Sequence, residues 1–105
     1  MEQPNLSYIK NMSGGDRAFE KKLINIIKNE FPEEKQRYYE HLSVKNYEQV
    51  SQIVHKLKHK ISILGLKKSY YLASNFEANL LEGNDNLHNE FEFILDSITH
   101  FLKQF

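Results

Sequence analysis

The sequence predicts an all-α protein, an antiparallel four-helix bundle with a short additional N-terminal helix. Three observations lead there. Apolar residues recur at intervals of three and four along most of the chain. Only two prolines and four glycines interrupt 105 residues. Strand-type alternation is nowhere sustained. A chain of this length is enough for one hydrophobic core, since domains most often run to about 100–150 residues, and no repeat, linker or low-complexity stretch marks a second module. Residues 1–105 therefore read as a single domain.

Asn5 or Ser7 can cap a short opening helix over residues 6–12, closed by Ser13-Gly14-Gly15. A long helix should start at Asp16, with Phe19, Leu23, Ile26, Ile27 and Phe31 as its apolar stripe. Pro32 either kinks that helix or restarts it, with Glu33 and Glu34 in a favourable first turn, and Tyr38, Tyr39 and Leu42 carry the stripe on. Asn46 is the expected N-cap of the next helix, whose stripe is Val50, Ile53, Val54, Leu57, Ile61 and Leu64 and which should run to a break at Gly65. A further helix over residues 67–81 is framed by Gly65 and Gly83 and turns Leu72, Ala73, Phe76 and Leu80 inward. Asn84-Asp85-Asn86 can cap the last helix, in which Leu87, Phe91, Ile94, Ile98, Phe101 and Phe105 repeat at intervals of four and three.

Composition narrows the function classes. Fourteen Lys and Arg balance fourteen Asp and Glu, so no global charge favours nucleic acid or an anionic membrane. The absence of cysteine removes disulfides, thiolate metal sites and thiol nucleophiles. No apolar run approaches the ~20 residues that span a bilayer, and Met1-Glu2-Gln3-Pro4-Asn5 has neither the basic start nor the apolar segment of a signal peptide. A cytoplasmic location is the expectation. Charge is nonetheless uneven: Lys56, Lys58, Lys60, Lys67 and Lys68 fall between His55 and Lys68 without a carboxylate, whereas acidic residues including Glu77 populate the last third.

His55 is the residue that needs explaining. It lies roughly 150° from the centre of its helix's apolar stripe, outward, with Ser62 and His59 on the same face and Lys58 on the flank. Four readings compete. Most exposed histidines have no special role. A metal reading would use His55 and His59, four apart on one face, but Lys56 stands where a metalloprotease has its glutamate, and the lysines would repel a divalent cation. A triad with Ser62 fails on distance, because seven residues of helix rise roughly 10 Å. In the fourth reading His55 is a nucleophile that carries a phosphoryl group: neighbouring ammonium groups disfavour ring protonation, and Lys58, one turn on, offers a cation to the phosphate. With no phosphate loop or acidic metal cluster in the sequence, the phosphate would come from a partner that brings its own Mg²⁺, and no cofactor is expected on this chain.

His55-Lys56-Leu57-Lys58, followed by Gly65 ten positions after the histidine, resembles the signature of histidine-containing phosphotransfer (HPt) domains, and the order of helices resembles that family over the whole chain. The resemblance implies a four-helix bundle that relays phosphate between receiver-domain aspartates in two-component signalling, without kinase activity of its own. It implies that His55 is the phosphoacceptor through Nε2, that Lys58 steadies the phosphate, that Leu57 is the buried leucine and that Gly65 lets the helix close and its neighbours pack. His59 departs from the pattern, since the family usually has a small residue there. A receiver, on its own or in a hybrid sensor histidine kinase, would dock over Gln52, His55, Lys56, His59, Ser62 and Leu66 of a monomer. The alternative is a helical interaction module that keeps the docking face but relays no phosphate.

Overall fold

The computed structural model describes residues 2–105, which form five helices: α1 (Ser7–Ser13), α2 (Arg17–Ser43), α3 (Tyr47–Ile63), α4 (Lys67–Leu81) and α5 (His88–Leu102). No strand occurs among the described residues, and the expected all-α class is the observed one. None of these helices is long and apolar enough to cross a membrane.

Helix starts use the expected residues unevenly. Asp16 accepts the Phe19 N–H at 3.1 Å and caps α2. Asn5 Oδ1 accepts the Ser7 N–H at 3.0 Å at the start of α1. Asn46 precedes α3 without a side-chain cap bond, and Asn84 binds the Asn86 N–H in the loop, so α5 starts uncapped after Leu87.

Three of the five helix ends follow one rule. In α2, α3 and α4 the second residue beyond the helix sits in the left-handed region, at Lys45 (φ 56°), Gly65 (φ 79°) and Gly83 (φ 79°). Each donates its N–H to the third carbonyl back, at Leu42, Ser62 and Leu80. The following N–H, from Asn46, Leu66 and Asn84, reaches His41, Ile61 and Asn79. These are three Schellman closures. Two use the glycine the geometry favours, and the third strains a lysine.

Pro32 does not restart α2. The helix runs through it, although a proline inside a helix removes a hydrogen bond and costs about 3 kcal/mol. Burial on both sides offsets that cost, because Phe31 and Tyr38 are fully enclosed. Tyr38, Phe76 and Phe91 bring α2, α4 and α5 together, with ring centroids 5.3 Å apart for Tyr38 and Phe91 and 5.2 Å for Phe76 and Phe91. Burial raises the Tyr38 hydroxyl above the usual tyrosine range, and the charge of Glu92 and its hydrogen bond with the hydroxyl at 3.0 Å push the same way.

The apolar stripes need trimming. Phe19, Ile26 and Tyr39 on α2 are exposed, as is Phe105 beyond α5, while Leu95, outside the predicted stripe, is completely buried. A stripe marks a direction. How much of it is covered depends on where neighbouring helices lie. Along α3 and α4 the contacts run in opposite sequence order: the Ser51 hydroxyl donates to the Glu77 carbonyl at 3.0 Å, and Lys58 stands over the Tyr70 ring. This register sets Glu77 beside His55.

Candidate functional site around His55

Val54 and Leu57 are fully buried on either side of His55. They pin the helix so that the His55 side chain points outward, 54% exposed. Gln52, Lys56, His59 and Ser62 share the exposed surface of α3.

Leu66 does not. The sequence predicts it on the docking face, but it is only 2% exposed. α3 ends at Ile63 and the left-handed turn at Gly65 redirects the chain, so Leu66 becomes the residue before α4 and its side chain enters the core. Gly65 is held from outside as well. A Cβ there would lie 2.6 Å from Asn5 Nδ2, and the Asn5 N–H donates to the Leu64 carbonyl at 2.9 Å. The segment before α1 closes directly on the turn.

Glu77 joins the site although nothing local in the sequence links it to His55. From α4, its Oε1 and Oε2 lie 2.8 and 3.2 Å from His55 Nδ1, and Oε2 also accepts from Lys58 Nζ at 3.1 Å. The Ser51 bond to the Glu77 carbonyl fixes the same residue from its backbone. Burial works against ionisation of Glu77, but hydrogen bonds from Lys58 and His55, together with the Lys58 charge, hold its carboxyl below the ordinary value. A signal existed in the sequence: positions 73, 77 and 80 share the spacing of the inward stripe, so Glu77 sits at the margin of the face that α4 turns to α3.

Glu77 revises the electrostatics. The charged group in contact with the imidazole is a carboxylate, where the sequence suggested only ammonium groups. Lys58 is 13% exposed and spends its charge on Glu77, with the Tyr70 ring 5.3 Å from Nζ. Lys60, counted in the basic patch, is buried on another side of α3, 3.0 Å from both Glu30 Oε1 and Glu34 Oε1 of α2. Lys56, Lys67 and Lys68 remain exposed.

A neutral imidazole that donates Nδ1–H to Glu77 keeps its lone pair on Nε2. The ring is then oriented and basic at the nitrogen the protein does not engage. Such a group can attack an electrophile or bind a cation. His59 adds a second imidazole, its ring centroid 4.9 Å from that of His55 and the planes at 90°. Among the described residues, no three His, Cys, Asp or Glu side chains gather in a way that could hold a metal ion.

Comparisons with protein-family models, curated proteins and solved structures return no match for this chain.

Proposed function

We propose that the chain is a histidine phosphotransfer module in which His55 Nε2 accepts a phosphoryl group from an aspartyl phosphate of a receiver domain and passes it to another. The observation that carries this reading is the bond from His55 Nδ1 to Glu77, because it selects the tautomer whose lone pair lies on Nε2, on a ring half exposed to an approaching protein. In the transfer the Nε2 lone pair forms the N–P bond as the P–O bond to the aspartate breaks, and the aspartate leaves as a carboxylate. Positive charge that develops on the ring is stabilised through Nδ1 by Glu77. Lys58 offsets the charge of Glu77 in the free protein, and we assign its ammonium to the phosphoryl oxygens once these sit one turn away.

The partners in this reading are response-regulator receiver domains, free or within a hybrid sensor kinase. The Mg²⁺ that such chemistry uses belongs to the receiver, as does the catalysis, so the chain is a phosphocarrier with no kinase activity of its own. It would act as a cytoplasmic monomer, docking through Gln52, Lys56, His59 and Ser62 around His55, with Leu57 and Gly65 keeping the helix in place. The family resemblance in His55, Leu57, Lys58 and Gly65 supports the same assignment.

One observation favours a second reading. The His59 ring stands in edge contact with His55, more bulk beside the imidazole than a small residue would place there, as suits a module that docks receivers without relaying phosphate. Mixing the protein with phosphorylated receivers separates the two. Transfer predicts acid-labile label on the chain that His55→Gln abolishes. Label that persists in His55→Gln, or none from any receiver that binds, refutes the relay.

A further inference from the structure

The proposed transfer uses His59 only as part of the docking face, yet its position relative to His55 is specific. Residues four apart on a helix share a face, and here the two rings are in edge contact with centroids 4.9 Å apart. Paired imidazoles on one helical face are a chelate for borderline divalent cations, which prefer nitrogen ligands. Glu77 strengthens the case. A carboxylate that accepts from the second ring nitrogen is the partner a metal-bound histidine ordinarily has, since it fixes the tautomer and makes the ligating nitrogen more basic.

The structure also weakens the objection raised by the sequence, that lysines would repel a cation. The Lys58 ammonium lies 3.1 Å from a Glu77 oxygen, and Lys60 is turned away to Glu30 and Glu34. Two of the lysines nearest in sequence thus present compensated charge to the histidine pair.

We propose that His55 Nε2 and the His59 imidazole together chelate one Zn²⁺ or Cu²⁺ ion, and that this ion, by occupying the nitrogen that would receive the phosphoryl group, excludes phosphorylation. The exclusion rests on the phosphotransfer reading, and the chelate does not. Because no third protein ligand joins the pair among the described residues, water completes the coordination sphere. Such a site is exchangeable, a reversible block rather than a structural centre.

The test starts with the unphosphorylated chain, titrated calorimetrically with ZnCl₂, CuCl₂ and MgCl₂. One ion per chain is expected, Cu²⁺ tighter than Zn²⁺ and no binding of Mg²⁺, as imidazole ligands dictate. Glu77→Ala should weaken Zn²⁺ binding about 10–100-fold, while His88→Gln, remote from the pair in sequence, should leave it unchanged. Binding should be lost in His55→Gln and in His59→Gln, with the helical circular dichroism recorded for each. Zn²⁺ binding that survives either change, or that fails to saturate by about 1 mM, overturns the chelate. The block is read with phosphoramidate, a donor that needs no receiver: Nε2 takes the phosphoryl group and ammonia leaves. At tenfold excess over its dissociation constant, Zn²⁺ should slow this labelling by about tenfold, and an unchanged rate overturns the block. If Zn²⁺ binds as stated while no receiver labels the chain, the relay fails and the chelate stands.

Discussion

At the scale of single residues the site depends on one hydrogen bond. Imidazole free in water favours the proton on Nε2, whereas a carboxylate 2.8 Å from Nδ1 favours the proton on Nδ1 of His55. In Glu77→Ala the ring should revert, and nitrogen chemical shifts of the histidine should report the change directly. Under the proposed relay, transfer from a receiver should slow by at least about tenfold in the same variant, on the scale of losing an orienting partner. A slower rate with an unchanged tautomer would mean that Glu77 acts only by holding α4 against α3. His55, Leu57, Lys58 and His59 could be singled out from the sequence because they lie within five consecutive residues of one helix. Glu77 lies 22 positions away, and its place depends on how two helices align.

At the scale of elements, the ends of helices hold the clearest expectations. Lys45 closes α2 with φ at 56°, a conformation that costs a non-glycine residue roughly 1–2 kcal/mol. Lys45→Gly should recover about 1 kcal/mol, read as a higher urea midpoint with the slope unchanged. The start of α4 depends on Glu2, whose carboxylate accepts the Lys68 and Ser69 N–H groups at 2.9 and 3.0 Å and the Ser69 hydroxyl at 3.1 Å. Burial opposes its ionisation, but these bonds and the Lys68 charge hold the carboxyl below its ordinary value of 4.5. A carboxyl lowered in the folded state stabilises above its unfolded pKa, and the contribution is lost as pH falls through the folded value. Acidification below about 4.5 should therefore release this cap. The amide resonances of Lys68 and Ser69 should titrate together, and Glu2→Gln should remove that titration. Glycine flags two of the three helix closures in the sequence; the lysine at the third has no such mark.

At the scale of the whole molecule, α2, α4 and α5 meet in an aromatic cluster within the core. Phe76 is fully buried between Tyr38 and Phe91, and Phe76→Ala should cost about 3–5 kcal/mol through lost burial and a residual cavity. Since domains of this size are stable by only about 5–15 kcal/mol, that loss should lower the urea midpoint sharply. It should also loosen α4, and with it the grip of Glu77 on His55, so that the Nδ1-bound tautomer becomes less populated well before global unfolding.

The sequence by itself determined the helical class, the approximate extent of each helix and the outward direction of His55, because all of these follow from periodicity and local chain stiffness within a few turns. Only the tertiary structure decided the site's electrostatics. The α3–α4 register brought a carboxylate from α4 onto the imidazole and took Lys58 with it, α2 drew Lys60 out of the basic patch, and the Gly65 turn carried Leu66 from its expected place on the outer face into the core. Charge interactions depend on distance in space, and distances between residues far apart in the chain are set by packing.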